Sequence, residues 1–499
     1  MSQTAIAIVL ALYFAMLIVV AHVTGRQGDN NSFFTGNKRS PWYLVAYGMI
    51  GASLSGVTFI SIPGAVVSDG FSYMQMVLGY LAGYAVIAFV LIPLYYRLEL
   101  VSIYTYLHQR FGAFSYRTGA SFFLLSRVIG ASFRLYLVAM VLDSFVFGPW
   151  GIPFWATVAV TIALIWVYSF KGGIKTIVWT DTLQTTFMLA SVVVSIVIIS
   201  RHMDWGLAEL LSTLDQTEYS KLFVWEWQKA NHFAKHFLAG MFITITMTGL
   251  DQDMMQKNLT CRNAKDAAKN VLWTSISLVP VNLLFLSLGA VVYLFAFKQG
   301  ILVQEPIGDF PLQALDPTTG NLVGIKKDLV FPFLSIHYLG PVAGMVFIIG
   351  LVAAAYSSAD SALTALTTSF CIDFLGMKPS DTETARRTWA HLGFSTILFI
   401  VIVVFRSLHN DSLINLLFVA AGYTYGPLLG LFAVGLLTKA KPFDRWVPVF
   451  GIASAVVSFF INNWLIEKYG FKLGFMVLLL NGGIMACLLI ASSFIPKRA

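Results

Sequence analysis

The chain has 499 residues, 58% of them apolar and only 11% charged, with a mean hydropathy of +0.77. A soluble domain carries roughly 25% charged residues, so water is not the solvent for most of this surface and a soluble multidomain architecture is excluded. The formal charge of +8 is scattered through short loops with no basic run of five, which excludes nucleic acid as a partner; Cys261, Cys371 and Cys487 lack the spacing of a disulfide framework or thiolate metal site.

Apolar runs of about 20 residues recur from end to end, each long enough to cross a hydrocarbon core of roughly 30 Å. The pattern predicts an all-α integral membrane protein of about thirteen transmembrane helices, at 5–25, 42–66, 72–97, 114–147, 152–170, 178–201, 231–258, 271–298, 331–373, 388–405, 411–437, 445–466 and 473–496. The first run lacks the basic leader and cleavage site of a signal peptide and is kept as a span. Most of the 32 Lys and Arg fall in alternate loops, such as those holding Lys38 and Arg39, Arg97 and Arg110, or Lys257, Arg262, Lys265 and Lys269. Positive charge marks the cytoplasmic side, which predicts an N-terminus outside, a C-terminus inside and an odd number of spans. The longest connections, about 202–230 and 299–330, then lie outside, and residues 1–499 read as one membrane domain.

Two spans carry helix breakers. The second holds Gly48, Gly51, Gly56, Pro63 and Gly64; the seventh holds Gly240 and Gly249 among Thr244, Thr246 and Thr248. They lie five spans apart. Interrupted spans at matching places in two halves point to an inverted repeat, here 42–201 and 231–437, with one extra N-terminal helix (5–25) and two extra C-terminal helices (445–496). Lipid cannot satisfy interrupted backbone, so these breaks are expected to face a ligand or cavity.

In the ninth span, GLVAAAYSSADSALTALTTSF (350–370) sets Ser357, Asp360, Ser361 and Thr364 on one face, with Ser358 about 100° round. Hydroxyls beside freed carbonyls outline a sodium site; they equally suit close packing with hydrogen bonds across a helix interface. Asp360 goes beyond packing, because a carboxylate at mid-membrane needs a cavity, partner or ion. Asp181, in KGGIKTIVWTDTLQ (171–184), either approaches this face or, with Thr180, caps its helix. Arg134 in the fourth span suits a solute carboxylate held in bidentate fashion, or a structural pair with Asp143 or a carbonyl. Arg127 lies seven residues earlier on a similar face.

Together with GASLSGVTFISIPG (51–64), YTYLHQRFG (104–112) and GLDQDMMQK (249–257), these segments make the chain resemble the sodium:solute symporter family over nearly its whole length. The resemblance implies sodium-coupled import of a small organic solute by alternating access, in a multi-pass protein of the plasma membrane, monomeric, with sodium as coupling ion and no organic cofactor. It implies a principal sodium site from the backbone oxygens of Gly51, Leu54 and Ala354 and the hydroxyls of Ser357 and Ser358. A second cation site in some members matches Asp181, Ser357, Asp360 and Ser361; Asp360 stands where others have Ser, so a second sodium and a proton are both open there. The solute would lie between the two breaks, against Ser55, Thr58, Gln75, Arg134, Thr244 and Tyr425. Sugar-carrying members tend to hold amides at the positions of Thr58, Thr244 and Val419, and this chain has none there. The missing amides together with Arg134 favour a carboxylate-bearing solute.

Other readings are weaker. A membrane enzyme wants a catalytic His, paired carboxylates or a metal cluster at one interface, yet the eight His are dispersed and no phosphate loop or G-x-S-x-G elbow is present. A channel lacks charge rings or a filter-like repeat. Few residues follow the last span, which speaks against an appended sensor domain. Proton-coupled symport through Asp181 and Asp360 is the nearest rival.

Overall fold

A computed structural model describes residues 3–25, 28–229, 231–307, 310–317, 319–407, 413–471 and 473–494; the side chains of Val57, Phe145 and residues 413–420 lie outside the description, Val419 among them, as do Arg26, His409, Lys497 and Arg498. The apolar helices are α1 (Gln3–Thr24), α2 (Trp42–Ser53), α3 (Gly56–Asp69), α4 (Tyr73–Arg97), α5 (Ala113–Leu142), α6 (Phe154–Ser169), α7 (Ile174–His202) and α8 (Phe233–Gly249). After them come α9 (Gln252–Leu259), α10 (Ala264–Lys298), α11 (Lys327–His337), α12 (Gly340–Phe374), α13 (Ala385–Ser407), α14 (Leu413–Leu437), α15 (Asp444–Tyr469) and α16 (Gly474–Ser493).

Among the described residues, nine helices are long and apolar enough to cross a membrane, and counting the bent pairs α2/α3 and α8/α9 as one span each gives 11. Two shorter apolar helices, α6 and the stretch Ala421–Leu437 of α14, fall on the remaining two expected spans. Phe89, Leu12, Ile452 and Phe460 stand 63–68% exposed on helix faces, a side-chain choice that suits lipid and not water.

The core is held by close backbone approach. A Cβ on Gly48 would stand 2.9 Å from Asp181 Cβ, and one on Gly51 2.2 Å from the Thr185 hydroxyl, so both glycines seat α2 against α7. Gly79 and Gly240 do the same between α4 and α8, where a Cβ would meet the carbonyls of Phe237 and Met76 at 2.1 and 2.2 Å. Gly240 is therefore a contact residue and not a helix breaker. The interruptions fall elsewhere: α2 and α3 meet at 56° across Leu54 and Ser55, and α8 and α9 at 65° across Leu250 and Asp251.

Two expectations about boundaries change, and both long connections carry structure of their own. The ninth span begins at Gly340, whose φ is +84°, because 327–337 form the separate helix α11. The sixth begins at Ile174, after Gly173 at φ +50°, whose missing Cβ makes room for the ring of Phe33. Asp181 thus lies two turns inside α7 and is no cap. The connection at 299–330 folds as a small antiparallel sheet, β1 (Leu302–Val303), β2 (Leu312–Leu315) and β3 (Leu322–Ile325), paired at Leu302 with Ala314 and Leu312 with Ile325. The connection at 202–230 carries the short amphipathic helix Leu207–Gln216, with Leu210 and Leu214 buried.

Candidate functional site

The first break supplies free backbone. Leu54 (φ −94°, ψ 95°) and Ser55 (φ −80°, ψ 172°) are extended, so the hydrogen-bond ladder of α2 stops. Carbonyls in the last turn of a helix have no intrahelical donor, which leaves those of Gly51 and Leu54 for another partner. Gly56 brings this junction against α12, where an added Cβ would lie 3.4 Å from Ala355 Cβ, one residue from Ala354. On the same helix the Ser358 hydroxyl is buried without a hydrogen-bond partner among the described residues. The Ser357 hydroxyl donates to Asp181 Oδ1 at 2.6 Å, which turns its lone pairs away from Asp181. Carbonyl and hydroxyl oxygens with no thiolate or imidazole suit a hard cation, and the orphaned Ser358 oxygen is a group that such an ion would satisfy. The residues fit one sodium.

The second break is different. Its freed carbonyls are already taken: Tyr95 donates to Gly249 O at 2.9 Å and Tyr104 to Leu250 O at 3.0 Å. The break presents carboxylates instead. Asp251 caps α9 through the amides of Asp253 and Met254 and accepts the Tyr425 phenol at 2.6 Å. Arg127 on α5 pairs with Asp253 and lies 3.6 Å from Asp251, all three buried.

Between the breaks lies a cavity of about 190 Å³. Ser55, Thr58, Arg134, Thr244 and Tyr425 line it, together with Tyr73, Tyr80, Tyr84, Asn282 and Arg127. A second cavity of about 460 Å³ shares Tyr73, Tyr80, Ile243, Met247 and Ala421 with the first and continues along α15 and α16 to Ile466 and Phe475. Of the six expected solute contacts, five share the cavity and Gln75 does not. Its amide donates to Ser72 O and Asn231 O and accepts from Val224 N, so it ties α4 to the 222–232 connection. Asp143, offered as a partner for Arg134, pairs with Arg406 at 3.4 Å.

The four residues of the expected second cation site are each engaged with protein. Lys257 on α9 places its ammonium 2.7 Å from Asp181 Oδ2, off the axis of a hydrogen bond. Asp360 accepts from the Tyr168 phenol at 2.7 Å and from Ser361 N at 2.6 Å, while the Ser361 hydroxyl donates to Asp253.

Sequence reasoning quoted GLDQDMMQK as a motif without giving Asp251 or Asp253 a role, and it counted Lys257 among the loop charges, whereas Lys257 is buried on α9 against Asp181. Three charges within seven residues of a broken membrane helix were the available signal, since each needs a partner there. Tyr73, Tyr80 and Tyr84 carry no such signal, because an aromatic in an apolar run reads as lipid-facing or core.

The sodium:solute symporter family model matches residues 33–440. Over 474 residues the chain is 24% identical to the sodium/sialic acid symporter SiaT of Proteus mirabilis, covering 92% of this chain and 88% of the relative. It is 24% identical over 469 residues to the human sodium-coupled monocarboxylate transporter 1, covering 91% of this chain and 71% of the relative. The solved substrate-bound, outward-open state of a sodium-coupled sialic acid symporter superposes with a TM-score of 0.77 at 19% identity, covering 98% of this chain and 97% of the other. With a family match over most of the chain, a broken-helix site and a buried cavity between the breaks, the protein belongs to the sodium:solute symporter family and is a multi-pass membrane transporter that couples sodium to a solute by alternating access.

Proposed function

We propose that the solute is a small carboxylate-bearing acid, held by Arg134 in the cavity between the breaks and imported with sodium bound at Gly51, Leu54, Ala354, Ser357 and Ser358. The observation that carries this is the asymmetry of the two arginines. Arg127 is neutralised by Asp251 and Asp253, whereas Arg134 lines the cavity without an ion pair to any described residue. Burying a guanidinium is costly unless its donors are met, and a carboxylate meets two of them in one plane. Ser55, Thr58 and Thr244 then offer hydroxyls to the rest of the solute. The relatives named above are transporters of acids by name, which agrees with this chemistry. At about 190 Å³ the cavity between the breaks suits an acid of a few carbons, and a larger acid would have to reach into the adjoining cavity of about 460 Å³.

The same reading places the two five-span repeats at 42–201 and 231–437, the N-terminus outside and the C-terminus in the cytoplasm, and the protein in the plasma membrane as a monomer. The larger cavity then opens outward, and the Arg127, Asp251, Asp253 and Tyr425 cluster closes the inner side. A panel of radiolabelled short monocarboxylates, sialic acid, neutral amino acids and sugars, tested for sodium-dependent binding to purified protein, tests the solute class. A short acid should bind, with loss in Arg134→Lys; high-affinity binding of a neutral sugar, unchanged in that variant, overturns the reading.

A further inference from the structure

A second sodium does not fit this chain. The family resemblance puts one at Asp181, Ser357, Asp360 and Ser361, but Asp181, the carboxylate bonded to Ser357 of the principal site, already holds a cation. The ammonium of Lys257 stands 2.7 Å from Asp181 Oδ2, and both side chains are 1% exposed. The other oxygen of Asp181 accepts the Ser357 hydroxyl. Asp360 turns both oxygens to Tyr168 and to its own neighbour's amide, and Ser361 turns its hydroxyl to Asp253. Each carboxylate oxygen of that set already faces a protein donor or an ammonium, so another ion would have to compete for it.

We infer that Lys257 is a tethered cation that takes the place of the second sodium, so that this transporter carries a single exchangeable sodium at the Ser357 and Ser358 site. This rests on the sodium site proposed above and deepens it. The physical grounds are charge and displacement. A sodium at Asp181 would have to share one carboxylate with an ammonium in a low-dielectric interior, where like charges a few ångströms apart repel strongly. Alternatively Lys257 would have to leave, yet its Nζ has no other aligned acceptor among the described residues, and an ammonium without a partner is costly in a dry interior.

The pair also reaches the principal site. Lys257 holds Asp181, Asp181 takes the hydrogen of Ser357, and the lone pairs of Ser357 are thereby aimed away from that carboxylate. Lys257 is thus a positioning residue for a sodium ligand it does not touch. Because it rides on α9, the inner half of the second broken span, it links that half-helix to α7 and to the serines of α12 without an ion from solution.

Equilibrium binding of ²²Na⁺ to the purified full-length protein tests this. The parent should bind one sodium per chain with a hyperbolic isotherm. Lys257→Met frees the Asp181 carboxylate and should bind two, with a sigmoidal isotherm, and Asp181→Asn combined with Lys257→Met should return to one. Two sodium ions on the parent, or one on Lys257→Met, overturn the inference while leaving the principal site standing. No sodium on the parent overturns the principal site and this inference together. If Lys257→Met does not fold, the count on the parent and on Lys257→Arg decides: one on each supports the tethered cation, and two on the parent rejects it.

Discussion

Tyr425 donates its phenol to Asp251 at 2.6 Å, and Arg127 lies on the same carboxylate at 3.6 Å. One residue therefore lines the solute cavity and also locks α14 to the cap of α9. In the orientation proposed above, where this cluster closes the inner side, any movement that opens that side has to break this bond or carry both helices together. Removing a hydrogen bond to a charged group costs about 1.5–3 kcal/mol, which shifts a two-state equilibrium by roughly ten- to a hundredfold. Tyr425→Phe is expected to move the population toward the inward-open state by that factor. Double electron–electron resonance between spin labels on α9 and α14 reads it; an unchanged distance distribution counts against the cluster as an inner gate.

Ser358 and Ser357 separate ion binding from structure. The Ser358 hydroxyl has no partner among the described residues, so Ser358→Ala removes the proposed sodium ligand without breaking a hydrogen bond seen there. Stability in sodium-free buffer should match the parent, while the stabilisation produced by added sodium falls with an apparent affinity at least about tenfold weaker. Ser357→Ala should do both, because Asp181 loses a donor. Thermal unfolding at graded sodium concentrations distinguishes them; a sodium response retained in Ser358→Ala removes that residue from the site.

Asp181→Asn leaves Lys257 buried and unpaired, and breaking a buried ion pair on one side costs about 3–5 kcal/mol. The expected result is a melting temperature several degrees below the parent in the absence of sodium, recovered largely when Lys257→Met is added. A melting temperature unchanged by Asp181→Asn alone shows that the pair carries no stability.

Much of this architecture was readable in the sequence because hydrocarbon thickness fixes the length of an apolar run and an interrupted membrane helix needs a reason. The spans, both broken helices and the serine-rich face of α12 follow from those two constraints. Where each break falls was not readable. Glycine at 48, 51, 79 and 240 records a close approach of two helices, whereas the chain turns at Leu54, a residue with no breaking tendency of its own. Gln75, and the reading of Asp181 as a helix cap, were misjudged for a related reason. Each is polar in an apolar run, and the sequence does not say whether its partner is a solute, an ion or another chain segment; here they meet Val224 and Asn231 in one case and Lys257 in the other. Pairing across 76 residues of chain, as between Asp181 and Lys257, is a property of the packed bundle and leaves no periodic trace. The sheet at 302–325 escaped notice because its strands are two to four residues long.

The solute assignment stands on Arg134. Lys keeps the charge and loses the planar pair of donors, so Arg134→Lys is expected to weaken acid binding by about ten- to a hundredfold, the worth of one charged hydrogen bond. Apparent sodium affinity measured without solute should stay within error of the parent. Isothermal titration with the acid selected from the panel checks it, and equal affinities in parent and variant return Arg134 to a structural role.

Sodium coupling through the site on α2 and α12 is tested most directly by reconstituting the purified protein in proteoliposomes and following uptake of that acid under two separate driving forces. An inward sodium gradient at equal pH on both sides should accumulate the solute above its external concentration, and Ser358→Ala should abolish the accumulation. Accumulation driven by an inward proton gradient in the complete absence of sodium, at the same rate in the parent and in Ser358→Ala, would contradict the account.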